Sequence, residues 1–89
     1  MVKVIMNFEV EDWDRWHTAF LANSNMREEN HIKEIYVGHE LENKNKVHIV
    51  YDTPEADTLQ KMMQKPEVQE VMKNAGNKVE TMVFATCTD

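Results

Sequence analysis

His48 lies in the run Val47-His48-Ile49-Val50-Tyr51, an imidazole set among strand-forming apolar residues. In that setting it reads two ways. It is a neutral base or donor between apolar walls, as small-ligand sites require, or a polar residue at a subunit interface. Asn7 and Tyr36 would share its face and, with His48, make up the candidate catalytic set. His17 follows Trp13 and Trp16 at helical spacing, so it either orients a ligand or is a core-edge histidine bonded to backbone. The two tryptophans correspondingly wall a pocket or fill a core. With Ile5 and Val50, these three residues form the candidate ligand-contacting set. His31 and His39 fall near strand ends and are expected to be solvated. Tyr51 and Asp52 point to opposite faces of one strand and cannot act as a pair. Cys87 has no flanking cation and stands beside Asp89, so its thiol should not be activated. Seven methionines are either core filler or a pliable ligand wall.

Other chemistries are missing. No nucleophile-base pair, carboxylate dyad or metal-ligand set is visible, and a single cysteine cannot supply a CxxC or an internal disulfide. Two glycines, Gly38 and Gly76, are too few for a P-loop or a dinucleotide fingerprint. The first strand-helix loop carries Glu11, Asp12 and Trp13 where an acylphosphatase-like phosphate cradle needs glycines and an arginine. Neither a metal nor a cofactor is expected. A net charge of -6 with no Lys/Arg cluster argues against nucleic acid. The longest apolar run is four residues, Met82 to Ala85, and Met1 to Val10 holds no signal-peptide core. The expectation is a soluble, cytoplasmic protein with no membrane partner.

The elements that must position these residues follow from periodicity. Eighty-nine residues, 42% apolar and 29% charged, suit one globular domain over residues 1–89. Alternation from Val2 to Val10 predicts a strand. Asp12 is placed to N-cap a helix carrying Trp13, Trp16, His17, Phe20 and Leu21 on one stripe, with a short turn over Met26 to Asn30. Ile32 to Leu41 and Val47 to Asp52 read as a hairpin. Thr53-Pro54 reads as a cap and first helical residue for a helix carrying Leu59, Met62 and Met63; Pro66 interrupts it, and Gly76 stops the continuation in a left-handed conformation. Lys78 to Thr88 alternates as the last strand. The order βαββαβ is an α+β, ferredoxin-like arrangement: a four-stranded antiparallel sheet with two helices on one face.

Register decides which side chains share a face. Pairing His39 with His48 would make a two-histidine metal site but scatters the apolar residues. Pairing Leu41 with Val47, His39 with Ile49 and Val37 with Tyr51 gathers Ile35, Val37, Leu41, Val47, Ile49 and Tyr51 behind the helices. It needs a loop Asn43-Lys44-Asn45, with Asn45 suited to a left-handed conformation. The second face then carries Ile5, Asn7, Tyr36, His48, Val50 and Asp52, too apolar to stand in water. With no chain left to cover it, a second copy related by a twofold axis is the economical cover, so a homodimer is expected.

Helix-one Trp16 to Phe20, the strand end Ile35 to Gly38, and the closing segment Lys65-Pro66-Glu67 to Ala75-Gly76 resemble the dimeric α/β-barrel superfamily of antibiotic-biosynthesis-type monooxygenases, especially its small uncharacterised members. The resemblance implies two ferredoxin-like subunits closing their sheets into a barrel, with a small hydrophobic or aromatic molecule bound inside the barrel or between sheet and helices. It leaves two functions: a small-molecule binding protein, or a cofactor-independent monooxygenase, isomerase or cyclase using His48 and Asn7. Haem-degrading members carry an Asn on the first strand, a Trp, and a His on the second helix. Asn7 matches the first, but residues 54–75 hold neither His nor Trp, so haem is not expected.

Overall fold

A computed structural model describes residues 2–88. The elements run β1 (Val2–Val10), α1 (Trp13–Ala22), α2 (Ser24–Glu29), β2 (Lys33–His39), β3 (Lys46–Thr53), α3 (Thr58–Met63), α4 (Pro66–Asn74) and β4 (Asn77–Thr88). One antiparallel sheet has the order β2-β3-β1-β4. Each expected helical stretch is a broken pair, α1-α2 and α3-α4, and both pairs lie on one face of the sheet. The alternation of β1 buries Val4, Met6, Phe8 and Val10 against those helices, with Val47, Ile49 and Tyr51 beside them. No helix of the described residues is long and apolar enough to cross a membrane.

Side chains set the helix ends. Asp12 Oδ2 accepts the Arg15 backbone N–H at 2.9 Å, the expected N-cap of α1. Asn23 ends α1 by turning its backbone N–H and its Nδ2 onto the Ala19 carbonyl, at 3.1 and 2.8 Å. That break lets α2 change direction and send Arg27 into the core. Gly76 is the left-handed stop after α4, with φ 86°. Its carbonyl accepts from Glu11 N–H, and Arg15 Nη2 donates to Asn74 O, tying the end of α4 to the start of α1.

Four expectations need correction. Thr53-Pro54 does not start a helix: Thr53 belongs to β3, its hydroxyl donates to Glu55 O, and α3 begins at Thr58. The hairpin pairs Val37 with Ile49, Gly38 with His48 and His39 with Val47, two residues from the expected register. A slip of two preserves which face every side chain occupies, so hydrophobic grouping cannot distinguish the two registers. Leu41 consequently sits in the loop, fully exposed. Ile35 is also exposed, because β2 bulges between Glu34 and Tyr36, pairing Glu34 with Tyr51 and turning Glu34 toward buried Arg27. Asn45 is not left-handed. Its side chain instead clasps the β1-α1 junction, Oδ1 accepting from Trp13 N–H at 3.0 Å.

The one non-glycine residue with positive φ among those described is His31, at 58°. It closes α2: its N–H donates to Glu28 O, and that of Ile32 to Arg27 O, the double bond pattern that favours glycine at this position. His31 is exposed and its side chain makes no hydrogen bond among the described residues. A Cβ in this conformation costs roughly 1–2 kcal/mol, partly offset by glycine's larger unfolded-state entropy. His31→Gly is therefore expected to raise the unfolding free energy by about 0.5–1 kcal/mol, as read by urea denaturation.

Candidate functional site

The sheet has two faces with different chemistry. On the face away from the helices, Asn7 pairs with His48 and His48 with Gly38, while Ile5 pairs with Val50 and Val50 with Tyr36. Ile5, Asn7, Tyr36, His48 and Val50 are thus brought together as the alternation requires. The Tyr36 ring folds across Gly38, where a side-chain Cβ would run into its hydroxyl. His48 Nε2 donates to Glu40 Oε2 at 2.7 Å. A neutral ring held this way keeps Nδ1 as an acceptor on the face it shares with Asn7, whose amide makes no hydrogen bond among the described residues. Ile5, Tyr36 and Val83 are 48%, 54% and 60% exposed on this face.

His17, Trp13 and Trp16 lie on the other side of the sheet, so the candidate residues form two groups and not one site. Trp13 stacks on His17, centroids 4.7 Å apart, and meets His39 edge-on at 4.8 Å. His39 is therefore half-buried under Trp13 and not simply solvated, and it faces away from His48. Trp16 alone of the three enters the core, packing on Phe8 and Phe20. Among the described residues no three His, Cys, Asp or Glu side chains gather as a metal set.

Between the sheet and the helices lies a cavity of about 80 Å³. At roughly 10–15 Å³ per water-sized group, it has room for about five to eight of them. Its wall includes Phe8, Trp16 and Phe20 and every methionine except Met1, which lies outside the described residues: Met6, Met26, Met62, Met63, Met72 and Met82. The methionines converge because β1, β4 and the inward stripes of α2, α3 and α4 meet there.

Four polar residues line this cavity, and sequence reasoning singled out none of them for it; one, Asn23, already donates its Nδ2 to Ala19 O. Arg27 is 6% exposed; its Nε donates to Glu34 Oε1, its Nη2 donates to Phe20 O at 2.8 Å, and its guanidinium lies 3.7 Å above the Phe20 ring centroid. Paired in this way it adds no net charge. The Tyr51 hydroxyl makes no hydrogen bond among the described residues. Burial, opposed by Arg27 and assisted by Glu34, pushes its pKa far above the ordinary 10.0. Asn77 Oδ1 is buried and without a partner among the described residues. Arg27 carried no usable signal, because the break at Asn23 ends the stripe of α1 and an arginine on a short helix reads as a surface residue. Asn77 gave none, since nothing local marks a strand-start asparagine as enclosed.

A family model described as a domain of unknown function (DUF3764) matches residues 1–89. The chain belongs to that family. No curated protein matches this DUF3764 chain. Among solved structures it is similar to SnoaB, described as a cofactor-independent oxygenase from Streptomyces nogalater, with TM-score 0.72 and 12% identity over 99% of this chain and 91% of that one. It is similar also to a Bordetella bronchiseptica protein provisionally described as an antibiotic biosynthesis monooxygenase, with TM-score 0.74 and 13% identity over 99% and 95%. An uncharacterized NIPSNAP domain protein from Burkholderia xenovorans gives 0.73 and 6% over 100% and 94%. The DUF3764 chain therefore has the ferredoxin-like fold of the antibiotic-biosynthesis-monooxygenase type.

Below pH 10 Tyr51 is protonated in both the folded and unfolded chain. Above it the unfolded chain releases a proton that burial denies to the folded one, so Tyr51 makes stability fall as pH rises. Tyr51→Phe, which removes no hydrogen bond, is expected to flatten the loss between pH 10 and 11.5 relative to the native chain in denaturant titrations.

Proposed function

We propose that this protein binds a small hydrophobic or aromatic molecule in the cavity between sheet and helices. The observation that carries the reading is an apolar space walled by methionines and aromatic rings that contains a buried, unpartnered acceptor, Asn77 Oδ1. An unsatisfied buried acceptor costs about 1–3 kcal/mol, which a ligand hydrogen bond would recover. Methionine walls adapt to irregular shapes, and a core with no other use for that space would have closed over it. The open sheet face completes the proposal: a second copy of the chain covers Ile5, Tyr36, Val50 and Val83, making the homodimer that the fold type suggests.

A second reading is a cofactor-independent monooxygenase. It is favoured by the His48-Glu40 bond opposite Asn7 and by the likeness in fold to SnoaB, described as a cofactor-independent oxygenase. The reacting molecule would then sit between two sheets, beside His48, and not in the methionine cavity. Oxygen uptake with a phenolic panel, lost in His48→Gln, would establish it; no uptake with any phenol would set it aside.

Indole and phenol should raise the melting temperature saturably, since a ligand that binds only the folded state stabilises it by mass action. Ala19→Leu, which fills the cavity from α1, is expected to abolish that shift with little cost to the ligand-free fold, because it occupies empty space. Lack of any shift with the native chain refutes the ligand site. Light scattering is expected to give a dimer at micromolar concentration and a monomer for Val83→Lys; a native monomer refutes the dimer.

A further inference from the structure

Outside the cavity, between α3, α4 and β4, runs a groove of about 440 Å³. It shares Met63, Met72 and Met82 with the cavity, and all three are half-buried. Each of these side chains therefore lines both an inner chamber and an outer one. Three rotatable bonds make each an adaptable wall.

The groove results from an irregularity of the sheet. Asn7 pairs with Val83 and Glu9 with Lys78, so four residues of β4, 79–82, stand opposite Phe8 alone. Thr81 holds the bulge: its Oγ1 accepts from Glu9 N–H at 2.8 Å and donates to Lys78 O at 2.6 Å. The consequence is that Val79 and Phe84 stay 54% and 46% exposed along the groove, where a plain ladder would pack tightly under α3 and α4. The rest of the rim is Gln60, Gln64 and Gln69, whose amides make no hydrogen bond among the described residues. Among the described residues no charged side chain lines the groove, and the only one lining the cavity, Arg27, is already paired with Glu34.

Resting on the reading of the cavity as a ligand site, we propose that its ligand is an elongated, uncharged amphiphile. The neutral head sits in the inner chamber and donates to Asn77 Oδ1, and the apolar tail leaves past the three methionines to lie along Val79 and Phe84 in the groove. Straight-chain alcohols and primary amides have this chemistry. A carboxylate would lose its hydration beside an acceptor oxygen and find no free cation in return.

Isothermal titration with 1-butanol, 1-hexanol, 1-octanol and octanoate tests this, with indole as the compact control for the inner chamber alone. Affinity should rise about fourfold per added CH₂ through 1-octanol. Octanoate should bind at least tenfold more weakly than 1-octanol at pH 7.5. Val79→Asp and Phe84→Asp, both at exposed positions, should each weaken 1-octanol at least tenfold and leave indole unchanged. If indole binds but affinity stops rising at 1-butanol, or neither variant affects 1-octanol, the groove is not part of the site and the inference falls while the cavity reading stands. Octanoate binding as tightly as 1-octanol overturns the uncharged class. If neither indole nor any alcohol binds, the cavity reading itself is refuted.

Discussion

A guanidinium inside the core sets much of this structure. Arg27 is buried on a six-residue helix, and a charge so placed is tolerated only when paired and hydrogen-bonded. Glu34 is that partner, and it can reach Arg27 only because β2 bulges and turns it inward at the expense of Ile35. Phe20 supplies both a carbonyl and a ring face, which fixes the end of α1 over α2. Tyr51, paired with Glu34 across the strands, is held protonated in the same neighbourhood. The hairpin register, the break between the first two helices and one end of the cavity all meet this single electrostatic requirement.

The two sheet faces carry opposite solutions to the burial problem of a small chain. One is covered by helices that leave an imperfect fit, filled by long flexible side chains around a space no side chain occupies. The other is left with half-exposed Ile5, Tyr36 and Val83 around a polar row of Asn7, His48 and Glu40. An apolar sheet face with a polar centre differs from ordinary solvated surface, where alternation would end in charged residues.

Much of the architecture was legible from period alone. The alternation of β1 and β3, the Asp12 cap and the Gly76 stop each depend on neighbours in sequence, and each stands where reading placed it. The group Ile5, Asn7, Tyr36, His48 and Val50 was legible for the same reason, since strand parity survives a two-residue slip. What parity could not reveal was the absolute register, the outward turn of Ile35 or the exposure of Leu41, because all three depend on Arg27 finding a partner across space. Thr53-Pro54 misleads because a helix start and the end of an inner strand favour the same residues. Grouping His17, Trp13 and Trp16 with Ile5 and Val50 does not hold, because strand parity sets Ile5 and Val50 on the face away from the helix that carries the other three. The placing of Arg27, Tyr51 and Asn77 around the cavity was illegible because enclosure belongs to the assembled chain.

The bulge of β4 separates two tasks that a regular strand would couple. Residues Asn77 and Lys78 pair with β1 on one side of it and Val83 to Thr88 on the other, each half held by its own ladder bonds. The four residues between them owe the sheet only Thr81's contacts. Lengthening or shortening that segment alters the depth and mouth of the outer chamber while β1, the open face and the buried arginine keep their places. Change in the shape of that chamber across a lineage of such chains therefore has a simple route through insertion and deletion at one strand, with no need for substitutions in the core.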